Sequence, residues 1–197
     1  MPIPPLQRPT DSAPRPPGFS LVELMVAVAI IGILSGIVIR ASGNEWRRER
    51  VNAIAVELAG WLESVRRASV TRVNQVNGQN CTVTFTPQTN AAPGAVIASV
   101  VPATCAPLES NGNFTIQSFA QSSGPFNVAV TNGPTFTYTP RGATTNTTPI
   151  TVKIALAGTT PLRCVRVSAV LGLVRVGRND GSSNVSDVCT DANYGSF

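Results

Sequence analysis

The sequence predicts an α+β fold: a long N-terminal transmembrane and amphipathic α-helix packed on an antiparallel β-sheet domain. Three observations predict it. Residues 19–39 are apolar except for Ser20, Glu23 and Ser35. Between Val51 and Val65 the apolar residues recur at spacings of 3 and 4, which is one face of a helix. From Cys81 to Gly177 the pattern changes to period two, interrupted by turns rich in Asn, Gly and Pro. The chain accordingly divides into residues 1–18, 19–39, 40–77 and 78–197.

Residues 1–17 are rich in proline, carry Arg8 and Arg15, and hold no apolar run. A secretory signal peptide places its apolar region before the cleavage site. In this chain the apolar run follows Gly18, so the segment reads as a disordered, basic, cytoplasmic leader. Residues 19–39 then give ~31 Å at 1.5 Å per residue, the hydrocarbon thickness of a bilayer. Glu23 lies near the start of that run, where burying a carboxylate is expensive. Gly32 and Gly36 form a G-x-x-x-G pair, a spacing that lets helices approach closely. Arg40, Arg47, Arg48 and Arg50 after the run outnumber Arg8 and Arg15 before it, so charge count alone would leave the C-terminal side in the cytoplasm.

Helix is expected to continue past Arg40. Residues 44–73 hold no proline, and Gly60 is their only glycine. Val51, Ile54, Leu58, Trp61 and Val65 form the apolar stripe, while Arg47, Arg48, Glu57, Glu63, Arg66 and Arg67 fall mostly off it. A helix from Phe19 to about Val73 would be ~80 Å long. The "NQVNGQN" stretch, Asn74–Asn80, ends it. The charge run "GNEWRRER", Gly43–Arg50, reads as a solvated helical face where arginines meet anionic headgroups.

Eight runs then read as strands: 81–86, 95–101, 114–119, 126–130, 135–139, 150–156, 163–169 and 173–177. They predict a compact antiparallel domain that covers the apolar helix face. The tail from Asn179 to Phe197 is polar and has no strand pattern. The four cysteines allow three pairings, of which proximity favours Cys81–Cys105 and Cys164–Cys189.

Composition excludes several functions. Histidine is absent and no cysteine pair has C-x-x-C spacing, so neither a metal site nor a cofactor is expected. The acids beyond residue 77, Glu109, Asp180, Asp187 and Asp191, read as loop residues without partner motifs, which argues against an enzyme. Charged residues make up 13% of the chain, low against about 25% in ordinary soluble domains. The net charge of +5 suits an anionic partner without demanding one.

Two resemblances extend this reading. "G-F-S-L-V-E", Gly18–Glu23, follows a short basic leader and precedes an apolar run; it resembles the type IV prepilin family, which includes the pseudopilins of type II secretion. The resemblance implies cleavage between Gly18 and Phe19 by a prepilin peptidase, N-methylation of Phe19, and a single-pass inner-membrane protein whose β domain is periplasmic. It also implies assembly with other pilins into a helical filament. There the amine of Phe19 on one subunit would meet Glu23 of its neighbour and offset the buried charge. This overrides the charge count around the span. The absence of proline at Arg40 leans toward a minor pilin or pseudopilin.

The stretch from Phe136 to Arg178, with its aromatic strand, "PRG" turn and final "G-L-V-R", looks like the GspH/FimT-type pseudopilin domain. That resemblance implies a minor subunit near the filament tip. Some FimT-like proteins bind DNA through "G-R-x-R". The matching positions here are Gly172, Leu173, Val174 and Arg175, with leucine in place of the first arginine. Arg141, Arg166, Arg175 and Arg178 remain the candidate DNA contacts. Arg163 and Arg166 are expected on opposite faces of their strand.

Overall fold

The computed structural model describes residues 18, 20–71, 80–117, 124–190 and 194–195, without the side chains of residues 37–44, 109 and 195. Residues 1–17 of the predicted leader, Phe19, most of the Asn74–Asn80 helix stop and Asp191 lie outside the described residues. The chain divides into two compact units, Met1–Ala41 and Ser42–Phe197.

Helix α1, Leu21–Thr71, supplies the described part of the first unit and opens the second. Ser20 is its N-cap residue: the Ser20 Oγ accepts from the Val22 N–H at 3.2 Å, satisfying one of the free donors of the first turn. Glu23 sits in that turn, where the positive end of the helix dipole favours a carboxylate. In the first unit, the side chains from Leu21 to Gly36 are all exposed. In the second unit α1 is one-sided. Val51, Ile54, Ala55, Leu58, Ala59, Leu62 and Val65 are buried in the domain core, as the spacings of 3 and 4 predict.

The second unit holds two antiparallel sheets. Strands β1 (Cys81–Phe85), β3 (Val96–Val101), β4 (Asn113–Thr115) and β6 (Thr135–Tyr138) form the smaller, in the order β4-β3-β1-β6. The larger contains β2 (Gln88–Ala91), β5 (Phe126–Thr131), β7 (Ile150–Leu156), β8 (Thr159–Val167), β9 (Val174–Asn179) and β10 (Tyr194–Gly195), in the order β10-β9-β8-β7-β5-β2. In β1, Cys81, Val83 and Phe85 are buried while Thr82 and Thr84 are only half-buried, which is the period-two alternation of a sheet with one core face.

Strand β7 is buried along its whole length because both its faces are covered. Ile150, Val152, Ile154 and Leu156 join the core that contains α1. Ala155 joins Leu162, Cys164 and Cys189 in a second cluster, with Val185 and Tyr194 packed against it. The C-terminal segment is therefore a strap over the outer face of the larger sheet. Lys153 Nζ donates to the Ser186 carbonyl at 3.3 Å, Asn179 Nδ2 to the Val188 carbonyl at 2.9 Å, and Cys164 is bonded to Cys189. The second disulfide, Cys81–Cys105, ties β1 to a 3-10 turn at Ala103–Cys105.

Three polar contacts set the position of α1 along β8. Arg47 Nη1 donates to Thr159 Oγ1 at 3.5 Å, Arg163 Nε to Asn52 Oδ1 at 3.2 Å, and Arg66 Nη2 to the Leu171 carbonyl at 3.4 Å. The helical part of the second unit thus starts at the Thr159 end of the sheet and finishes at the Leu171 end.

Two strands escaped the sequence reading. β2 is polar, with Thr89 and Asn90 exposed, and shows no apolar alternation. β10 is two residues long. The expected turn "AGTTP" is shorter than its composition suggests: Gly158, at φ +70°, makes the reversal and β8 begins at Thr159. Pro161 is tolerated within β8 because the β7–β8 register is irregular there, between the pairs Ile154–Arg163 and Leu156–Thr159.

Candidate functional site

Two groups of residues carry the candidate chemistry, one in each unit. In the first, Gly18 is exposed and Phe19 lies outside the described residues. Glu23 is exposed, and among the described residues no cation pairs with it. Leu21, Met25 and Ile33 are 73%, 66% and 68% exposed, so this segment presents an apolar surface all round among the described residues. Among the described residues, a Cβ placed on Gly32 or Gly36 would meet nothing within 4 Å, so both notches are open there. Ser35 Oγ donates back to the Ile31 carbonyl at 2.7 Å, which hides its polarity within the helix.

Among the described residues no helix is long and apolar enough to cross a membrane. The predicted span of 19–39 includes Phe19 and the side chains of 37–39, which are not described. The described apolar stretch, 21–36, covers ~24 Å at 1.5 Å per residue.

In the second unit the four candidate arginines do not form one patch. Arg166 and Arg175 stand directly opposite each other across β8 and β9. With Pro149, Leu173 and Tyr194 they line an open groove of about 360 Å³ on the outer face of the sheet. The Arg166 guanidinium lies 4.2 Å from the centre of the Tyr194 ring, a cation–π contact. That contact is possible because Gly177 has no side chain: a Cβ there would come within 2.6 Å of the Tyr194 ring.

Arg163 and Arg178 form the neighbouring cross-strand pair, three residues along and on the opposite face. Both bind Asp180: Arg163 Nη1 is 3.0 Å from Oδ1, and Arg178 Nε is 3.6 Å from Oδ2. The hydrogen bond from Arg163, with the charges of Arg163, Arg178 and Arg48, holds the Asp180 carboxyl below its ordinary range. Asp180 therefore has partners that the sequence reading did not give it. Asp187 does too, since it accepts from the Ser182 hydroxyl. Arg141 is exposed in the turn after β6 and belongs to neither cross-strand pair.

The β8–β9 loop closes the Leu171 end. Val170 is held at φ +63°, a region a β-branched residue rarely occupies, and is 60% exposed. Its carbonyl accepts from the Thr144 N–H at 2.9 Å, and its own N–H donates to the Asn146 carbonyl at 3.2 Å. Gly172, at φ +65°, is required: a Cβ there would lie 2.8 Å from the Gly142 carbonyl oxygen. The "G-L-V-R" match of the sequence is thus a packing glycine followed by a strand, with Leu173 and Arg175 exposed and Val174 buried.

Sequence reasoning missed Asp180 and Tyr194 as partners. Both are single residues in a stretch without periodicity, and only Cys189 hinted that this stretch is anchored.

A helix with an exposed apolar start, followed by an antiparallel sheet domain that packs on its second half, is a pilin-like α+β arrangement. Residues 17–39 match the family model described as the Prokaryotic N-terminal methylation motif. That motif is the signal of type IV prepilins and pseudopilins, and over those residues the chain is similar to them. No curated protein and no solved structure matches the chain.

Proposed function

We propose that the protein is a minor pilin or pseudopilin of the GspH/FimT type, a structural subunit near the tip of a type IV pilus or type II secretion pseudopilus. One observation carries this reading: the methylation motif leads into an exposed apolar helix with a carboxylate in its first turn. A prepilin peptidase cuts between Gly18 and Phe19, and Phe19 is N-methylated. The subunit waits in the inner membrane with its β domain in the periplasm and then enters the filament. There Glu23 meets the positive amine of a neighbouring Phe19, so an otherwise expensive charge sets the register of assembly. The role is structural rather than catalytic.

Glu23→Ala tests it. The variant is expected to insert in the membrane at the normal level and to fall at least about tenfold in sheared filament fractions, since an uncompensated buried charge is worth a few kcal/mol. Normal recovery of the variant from filaments would sink the reading.

A second reading, a tip module that binds DNA, draws support from the Arg166–Arg175 pair on one face of the sheet. Arg178 shares the other face with Asp180, so the expected four-arginine patch reduces to this pair, with Arg141 apart. Phosphate contacts by arginines give affinity that falls steeply with salt. A gel shift with the detergent-solubilised chain at low salt is the test: a shift lost in Arg166→Gln/Arg175→Gln supports the module, and no shift removes it.

A further inference from the structure

We propose that the Thr159 end of the β domain binds the headgroups of anionic lipid, with Trp46 as an interfacial anchor and Arg47, Arg48 and Arg178 as phosphate contacts. The proposal rests on the reading of residues 21–36 as a membrane anchor, and it adds a lipid-binding surface on the second unit.

The residues come from separate elements. Trp46, Arg47 and Arg48 lie at the start of α1 in the second unit. Arg47 reaches Thr159 at the head of β8, and Arg178 stands opposite Arg163 on β9. Arg163 and Arg178 share Asp180, and Arg48 acts on the same carboxylate. Helix and sheet thereby bring their cations to one end of the domain.

The charge there does not cancel. Positions 45–50 with Arg163, Arg178 and Asp180 hold five arginines and three carboxylates, a surplus of two that remains after Arg48 pairs with Glu45 at 3.8 Å and Arg163 and Arg178 share Asp180. Arg178 stays 66% exposed while it touches Asp180 through Nε alone, so most of its donors remain turned to solvent. A guanidinium with donors to spare matches a phosphate better than it matches a neutral surface.

Lipid is favoured over an acidic protein by the order of residues along α1. An apolar stretch comes first, then a tryptophan that is 64% exposed, then arginines. A large apolar ring with one N–H donor belongs at the boundary between hydrocarbon and water, and arginine belongs just beyond it, at the phosphates. An interface with an acidic protein would have no use for that order.

The test uses the full chain carrying Trp61→Phe, which leaves Trp46 as the sole indole emitter of the two tryptophans. The substitution is mild: Trp61 is buried but its Nε1 has no hydrogen-bond partner among the described residues, so a phenyl ring breaks no described hydrogen bond. The protein is placed in nanodiscs of phosphatidylcholine alone and of phosphatidylcholine mixed with phosphatidylglycerol. Trp46 emission and its quenching by lipids brominated on the acyl chain are read in each.

Blue-shifted, more strongly quenched emission in the anionic discs is expected. The docked fraction should fall by about fivefold for each arginine removed in Arg47→Gln, Arg48→Gln and Arg178→Gln, and it should fall with added salt. Equal emission in the two compositions overturns the proposal, as does a triple variant that keeps the difference. Failure of the chain to enter either disc overturns the anchor reading, and this proposal falls with it.

Discussion

Tyr138 ends a run of rings, with Phe136 edge-on to it at 4.9 Å and Phe85 5.8 Å beyond Phe136. It is fully buried, and its hydroxyl has no hydrogen-bond partner among the described residues. Burial, reinforced by the Glu63 carboxylate and opposed by Arg66, pushes its phenol above the ordinary range. Two outcomes follow for Tyr138→Phe. Removing a buried, unpaired hydroxyl should leave stability unchanged or raise it by about 1 kcal/mol, measured by urea unfolding near neutral pH. The alkaline limb should also change. A phenol raised in the folded state holds its proton where the unfolded chain releases it, so stability is steady below about pH 10 and falls as pH rises past it. The phenylalanine variant should lose this part of the fall. A destabilisation of several kcal/mol near pH 7 would mean that the hydroxyl has a partner after all.

At the scale of elements, the strap depends on Cys164–Cys189, which closes a sequence separation of 25 residues. The corresponding loop entropy is about 3–4 kcal/mol. Replacing both cysteines by alanine should lower stability by that order. It should also release the amides of residues 180–190 to hydrogen exchange before those of β1 and β3, which Cys81–Cys105 holds independently. Simultaneous loss of protection everywhere would count against a separate strap.

The same elements show what the sequence could reveal. The stripe from Val51 to Val65 was readable because one helix face is buried and the other is wet. β7 was readable as an apolar run, "ITVKIAL", although its single lysine broke the pattern. That lysine is buried at a carbonyl of the strap, a placement no local pattern encodes. β2 was hidden because an edge strand with exposed Thr89 and Asn90 needs no apolar alternation. The opposite facing of Arg163 and Arg166 followed from strand periodicity alone. Their separate partners, Asp180 and Tyr194, did not, because both come from the non-periodic tail.

For the molecule as a whole, the open notches at Gly32 and Gly36 point to assembly, since among the described residues nothing comes within 4 Å of a Cβ placed there. Gly36→Leu should therefore insert and fold as the parent does, because leucine is a better helix former than glycine by about 0.8 kcal/mol. Its recovery in filaments should drop severalfold if neighbouring helices cross there, a contact type that small residues permit. Parent-level recovery would assign the two glycines to local helix softness instead.

The three contacts that fix α1 along β8 have a mechanical corollary. Tension drawn through the helix would load the seam between helix and sheet lengthwise, so Arg47, Asn52, Arg66 and the apolar stripe between them must yield together. Tension drawn from the C-terminus would instead peel β10 from β9 and lift the strap bond by bond until the Cys164–Cys189 bridge arrested it. The domain is thus strong along the direction in which a fibre would pull it, and yields in stages from its free end.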